Sequence, residues 1–416
     1  MRIERPTYLN RLIERKHNGL VKVVTGARRC GKSYLLFNLF KEHLVASSVP
    51  EDRIVEMRLD DRANKELRDP DACYDYVRSR VSGKGQCYVL LDEVQLMPEF
   101  EDVLNGFLHF GNADVYVTGS NSKFLSTDII TEFRGRGDEI RVHPLSFAEY
   151  CSAFEGGWDD AWNEYYTFGG MPYVATLSDD GAKAEYLEKL FEETYLRNIV
   201  ERNDVKNEDE LADLVDMIAS SIGSLTNPQK LERTFKSVKN TSLSAPTIKK
   251  YLKYLENAFI ISHAKRYDVK GRKHIGTPLK YYFEDVGVRN ARLHFRQQEE
   301  NHIMENVLYN ELRIRGCQVD VGVVELFETE QGARARKRVE IDFVANRGSK
   351  RYYVQSAFAL PDADKRVQEE RPLLKTGDSF KKIIVVKDNV KLDRDEYGIV
   401  TMGLKQFLLD PDSLDL

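Results

Sequence analysis

Over the first 150 residues, short apolar runs are separated by amphipathic stretches. Residues 21–25, 53–59, 88–91, 114–118 and 139–142 read as strands, and helical spacing fills most of the intervals. Tyr88-Val89-Leu90-Leu91 is continuously apolar, as in a strand covered on both faces. Strands alternating with helices predict a parallel sheet with helices on each side. The pattern then turns helical. Between 183 and 201, Tyr186, Leu190, Phe191, Tyr195 and Ile199 fall at the spacing of one core-facing stripe. Residues 228–235 and 247–255, the latter led in by Ser244 and Pro246, read as helices, and 259–264 as a strand, the order of a winged helix. Towards the end, 304–315 reads as a helix and 339–343 and 352–357 as strands. Val339, Ile341 and Phe343 alternate there with Glu340 and Asp342, as in a half-buried strand. The expected fold class is α/β, with a parallel-sheet domain over 1–150, a helical lid or linker over 151–215, a winged-helix region over 216–295 and an α/β domain over 296–416.

Composition narrows this picture. A chain of 416 residues is long for one domain, and 42% hydrophobic with 31% charged residues is the balance of a soluble globular protein. No apolar run approaches the roughly 18 residues of a membrane helix. The start, Met1-Arg2-Ile3-Glu4-Arg5-Pro6, lacks the apolar core of a signal peptide. Cys30, Cys73, Cys87, Cys151 and Cys317 are scattered without a CxxC pair, which predicts reduced thiols in a cytoplasmic protein and argues against a zinc site. A net charge of −5 exerts no general pull on nucleic acid, so any such contact needs a local patch. One patch stands out. Lys230, Arg233, Lys236, Lys239, Lys249, Lys250, Lys253, Lys265, Arg266, Lys270, Arg272, Lys273 and Lys280 are opposed only by Glu232, Glu256 and Asp268 between 228 and 280. A basic winged helix is a DNA-binding candidate through phosphate contacts, although a packing or lever role fits the same pattern.

The chemistry concentrates near the N-terminal end. Gly26-Ala27-Arg28-Arg29-Cys30-Gly31-Lys32-Ser33 satisfies GxxxxGK[ST] between a strand and a helix that begins around Tyr34. Its glycines let the backbone curl so that N–H groups face phosphate oxygens, and the helix adds its positive end. The motif assigns Lys32 to the β- and γ-phosphates of ATP and the Ser33 hydroxyl to Mg²⁺. Four apolar residues then lead into Asp92-Glu93 at the carboxyl end of a strand, where open α/β sheets bind ligands. Asp92 is placed for the Mg²⁺ shell and Glu93 for the base that polarises water. The next strand ends Thr118-Gly119-Ser120-Asn121-Ser122, where Asn121, or Ser120, could hold that water, or simply cap a turn. Arg134 and Arg136, in a short basic turn, are candidates for an arginine finger reaching the nucleotide of a neighbouring copy, which would make the protein a homo-oligomer; a solvated turn is the plain alternative.

Taken with Leu91-Asp92-Glu93-Val94-Gln95, Pro144-Leu145-Ser146-Phe147, Phe168-Gly169-Gly170-Met171-Pro172 and Lys280-Tyr281-Tyr282-Phe283-Glu284-Asp285-Val286-Gly287, these motifs resemble prokaryotic AAA-type ATPases that carry a C-terminal domain of unknown function. The resemblance covers nearly the whole chain and implies ATP binding and hydrolysis. The last hundred residues are similar to a restriction-endonuclease-like fold, with Glu305 on its helix and Asp342 on its strand. The acid and lysine that such a site places two residues apart are here Gln355 and Ala357, so the fold is expected without the chemistry. Lys365 is the candidate for a displaced lysine. Three functions compete: an ATPase switch or motor acting on DNA or a protein partner, an ATP-dependent nuclease in defence or repair, and a nucleotide-binding scaffold with little turnover. Asp92-Glu93 favours the first.

Overall fold

The structure is a computed structural model, and it describes residues 2–119, 133, 135–239, 243–330 and 333–416, with side chains at 238–239, 327–330 and 333–335 left undescribed. Its contacts divide the chain into two compact units, Met1–Leu145 with Asn257–Phe259, and Ser146–Glu256 with Ile260–Leu416. Among the described residues the strands form two sheets.

The first unit holds β1 (Val21–Thr25), β2 (Ile54–Arg58), β3 (Cys87–Asp92), β4 (Ala113–Thr118) and β5 (Gly137–Arg141). They are parallel and ordered β2-β3-β4-β1-β5, so β1 lies between the two strands that follow it last in sequence. Period two divides each central strand between two cores. Val21 and Val23, Val89 and Leu91, and Val115 and Val117 face one layer with Val77 and Phe107. Val24, Leu90 and Tyr116 face the other with Tyr8, Leu36 and Phe40. Each such side chain contributes about 1.5–3 kcal/mol on burial, which is why these strands carry almost no polar residue. The buried polar residues that remain find partners: Lys22, fully buried, is paired with Asp114, which also accepts the Tyr116 hydroxyl at 2.9 Å.

The second unit holds β6 (Leu225–Thr226), β7 (Ile261–Asp268), β8 (Lys273–Phe283), β9 (Gln318–Glu330), β10 (Ala333–Arg347), β11 (Lys350–Ala357), β12 (Lys381–Val386), β13 (Asp393–Arg394) and β14 (Ile399–Gly403) in the order β13-β14-β12-β11-β10-β9-β7-β8-β6. β7 pairs in parallel with β9 through Arg266↔Val321, so the β7–β8 hairpin and the C-terminal strands share one sheet. Ahead of the hairpin lie helices Glu208–Ser220, Pro228–Thr234 and Ala245–Asn257. The strand expected at 259–264 begins later, at Ile261, because Phe259 takes a left-handed turn (φ 56°). In the stretch 180–203, Leu190, Phe191, Tyr195 and Ile199 are buried as their spacing predicts, while Tyr186 is half-buried. The glycine-rich motif at 168–170 serves packing: Asp285 accepts from Gly170 N at 2.8 Å and caps helix Val286–Arg292 through Val288 N at 2.9 Å. A Cβ on Gly287 would come 1.9 Å from the Phe168 carbonyl oxygen, so only glycine fits this approach.

Candidate functional site

β1 ends at Thr25 and the chain turns immediately through 26–33. Gly26 (φ 138°) and Gly31 (φ 96°) adopt positive φ, and a Cβ on Gly26 would fall 2.1 Å from the Val142 carbonyl oxygen. Gly31 leads directly into a helix starting at Lys32 and running on to Ala46. Within the loop Ala27 and Cys30 are buried, Arg28 is half-buried and Arg29 is exposed with φ 67°. Tyr34 lies in the first helical turn, 38% exposed. Lys32 is buried and folds its ammonium over the loop, donating to Gly26 O at 3.0 Å and Ala27 O at 2.9 Å. Arg5, buried on the N-terminal segment, braces the same turn by donating to Cys30 O at 3.0 Å and His143 O at 2.8 Å.

Asp92 closes β3, where register pairs Leu91 with Val117 of β4. One residue further on, the Thr118 hydroxyl therefore meets the Asp92 carboxylate. Asp92 also accepts from Ser33 Oγ at 3.0 Å. Burial pushes the Asp92 carboxyl above its ordinary value, and the Thr118 and Ser33 hydroxyls oppose that shift. Glu93 stands in the left-handed region (φ 53°), with its N–H donated to Thr118 Oγ1 at 3.1 Å and its carboxylate accepting from Gln95 Nε2. Ser33 and Asp92, which sequence spacing selected, therefore meet at the carboxyl end of β1, β3 and β4, with Lys32 and Glu93 as their chain neighbours. Thr118 and Gln95 were not selected. Register points to Thr118 once β3 and β4 are paired, whereas nothing in the spacing singles out Gln95. Ser120, Asn121 and Arg134 lie outside the described residues. Arg136 is exposed, and its carbonyl accepts from Val21 N at 2.9 Å.

Ser33 and Asp92 are hard oxygen donors of the kind Mg²⁺ takes, and Mg²⁺ completes its shell with phosphates and water rather than a protein cage. Among the described residues no group of three or more His, Cys, Asp or Glu is arranged to hold a metal ion.

A second polar cluster lies in the second unit. Glu305, on helix Glu300–Ile314, and Asp342, on β10, both lie close to Lys280. This lysine, grouped by sequence with the surface bases, is buried. Its Nζ lies 2.7 Å from Glu340, 3.0 Å from Glu305 and 3.9 Å from Asp342. Burial alone would lower the ammonium's pKa, yet the carboxylates together raise it. Asp342 is pushed up by burial and by Glu305, with Lys280 opposing. Gln355 is buried, accepts from Asp342 N at 3.3 Å and donates to Glu369 at 2.9 Å. Ala357 is buried beside it in the strand, and Lys365 is paired with Glu369 at 2.6 Å. All five cysteines are unpaired, and no described helix is long and apolar enough to cross a membrane.

A family profile described as an AAA domain matches residues 18–151, and one described as a domain of unknown function (DUF8612) matches 159–299. The first therefore spans the phosphate loop and Asp92-Glu93. ORC1 of Aeropyrum pernix, solved in complex with DNA, is 12% identical over 71% of this chain and 93% of its own, at a TM-score of 0.29. A DNA polymerase III gamma subunit-related protein of Thermotoga maritima is 13% identical over 61% and 77%, at 0.30. Overlaps that low carry no argument. An uncharacterised protein of Methanocaldococcus jannaschii is 25% identical over 94% of this chain and 86% of its own. A Haemophilus influenzae protein, also uncharacterised, is 31% identical over 92% of this chain and 93% of its own. With that identity sustained along both chains, and the AAA profile covering the loop and acidic pair, this protein belongs to the family of the Haemophilus influenzae protein and carries an AAA domain in its N-terminal third.

Proposed function

We propose that the chain binds ATP with Mg²⁺ and hydrolyses it, driving a switch or motor that acts on DNA or a protein partner. The observation that carries this reading is the bond between Ser33 and Asp92 beside the curled 26–33 loop, with the Thr118 hydroxyl joining the Asp92 carboxylate to the Glu93 N–H. In this reading, backbone N–H groups of 26–33 and the Lys32 ammonium bind phosphate, and Ser33 and Asp92 hold the metal, which supplies charge neutralisation when bound. Glu93 takes a proton from the attacking water. Arg134 or Arg136 acts as the finger towards a second copy. The test is nucleotide binding and phosphate release. Lys32→Ala should lose ATP binding, whereas Glu93→Gln should bind ATP and lose turnover. Undiminished turnover in Glu93→Gln would remove Glu93 as the base. A trans finger requires specific activity to rise with protein concentration, and Arg136→Ala to bind ATP normally.

For the partner, the three helices between 208 and 257, with β6, β8 and β7 in antiparallel order, support a winged-helix reading. Lys249 and Lys253 are exposed on the last of those helices, available to phosphates. The C-terminal strands with Glu305 and Asp342 support a retired nuclease fold, because Lys280 already neutralises the carboxylates. Cleavage of linear or branched DNA with Mg²⁺ or Mn²⁺, abolished by Asp342→Ala, would instead favour an ATP-dependent nuclease. Dependence of that cleavage on Lys365 would identify the displaced lysine.

A further inference from the structure

On the second unit, the tip of the β7–β8 hairpin and the β10–β11 turn enclose a cavity of about 320 Å³, lined by Tyr267, Arg272, Asn346, Lys350, Arg351 and Phe380 among others. Three of these residues are cations and none is a carboxylate. Lys350 leans on Asp415, with both carboxylate oxygens at 3.0 Å. Arg272 has no hydrogen bond or ion pair among the described residues, and it sits exposed at the hairpin turn with φ 51°. The Arg351 guanidinium is clamped between two rings, its carbon 4.9 Å from the Tyr267 centroid and 5.2 Å from that of Phe380, and Nε donates to Asn346 at 2.8 Å. Phe380 leaves 41% of its surface open to solvent. An exposed apolar ring beside Arg272, in a concavity of this size, combines the two features a nucleotide needs: a surface for the flat base and charge for the phosphate.

We propose that this cavity is a subsite for one nucleotide unit of a single-stranded nucleic acid, with Phe380 against the base and Arg272 on the phosphate. The proposal rests on the nucleic-acid arm of the reading above and specifies the form of the strand. A duplex keeps its bases stacked inside, whereas a single strand can turn one base into a concavity.

The experiment measures fluorescence anisotropy of a labelled oligo(dT) with the full chain across a salt series. Phe380→Ala should weaken binding about fivefold or more, and Phe380→Tyr should restore it. Arg272→Asn, which tolerates the left-handed turn, should reduce the slope of log affinity against log salt by about 0.7. Both positions are exposed, and unchanged tryptophan emission would verify the fold. If oligo(dT) binds but only Lys249→Ala and Lys253→Ala weaken it, the subsite is wrong and the nucleic-acid reading stands. If wild-type protein binds no oligo(dT), both fail. Equal affinity in Phe380→Ala, or tighter binding of a duplex that ignores Phe380, overturns the subsite. So does Phe380-dependent capture of free AMP by Lys32→Ala protein at the affinity of the strand, which would make the ligand a free nucleotide.

Discussion

Replacing Lys280 with methionine removes the cation from a buried cluster while keeping most of its volume. The Lys280 side chain is 5% exposed, those of Glu305 and Asp342 are each 14% exposed and that of Glu340 is 33% exposed. At an effective dielectric near 20, a contact of about 3 Å carries ~5 kcal/mol of attraction, part of it cancelled by desolvation of the lysine. The Glu340 share is the most reduced by solvent screening. Removing one partner of a buried pair costs about 3–5 kcal/mol, because the opposite charges stay behind. The cost should depend on pH. Burial already pushes the Asp342 carboxyl up to about 8 with Lys280 opposing, so without the cation it rises further; its contribution is complete in acid and lost as pH climbs, a loss that ends near 8 in the wild type and continues above it in the variant. The gap between wild type and Lys280→Met should therefore widen as pH rises from about 7 to about 9.5. Urea unfolding followed by tryptophan fluorescence reads this well, since Trp158 and Trp162 are the chain's two tryptophans and both lie in the second unit. Trp162 Nε1 also donates at 2.8 Å to Glu300, on the helix that carries Glu305. A loss below about 0.5 kcal/mol at about pH 7, the level of ordinary surface substitutions, or an equal loss at about pH 7 and pH 9.5, would refute the neutralising role of Lys280.

Further outcomes test the other contacts. Thr118→Val leaves the Glu93 N–H without its acceptor and removes the hydroxyl from Asp92; turnover should fall roughly tenfold with ATP affinity little changed, and equal kcat would show that the bridge is dispensable. Gly287→Ala drives a methyl into the Phe168 carbonyl and should lower the urea midpoint of the second unit sharply or prevent folding, whereas a midpoint like wild type would contradict the close approach. Burial raises Asp285 from 3.8 to about 6 against its backbone N–H bonds. Its stabilisation is thus complete below about pH 4 and lost as pH rises through 6, a change of up to ~3 kcal/mol. The stability difference between wild type and Asp285→Asn should fall across that window and flatten above pH 7; a flat difference throughout would contradict the shift.

Much of the proposed nucleotide site was legible because each of its parts is contiguous. The eight residues 26–33 set their own turn through Gly26 and Gly31, and Asp92-Glu93 ends a strand that its apolar run announces. Period-two and helical spacing likewise determined which side chains of β1, β3 and β4 face each core. Thr118 needed the sheet: its hydroxyl reaches Asp92 because β3 and β4 pair Leu91 with Val117, a register set by both cores. Lys280 was misleading in sequence, where its neighbours made it one more base on a positive surface. β8 runs from exposed Lys273 to buried Phe283, and position 280 falls where the strand has entered the core. The carboxylates that meet it come from a helix and from β10, well along the chain. Sequence alone determined the elements and the phosphate loop, since both arise from local backbone preference and apolar periodicity. Only the tertiary structure decided whether a given charge faces water or a buried partner, because that depends on which distant strands and helices pack against it.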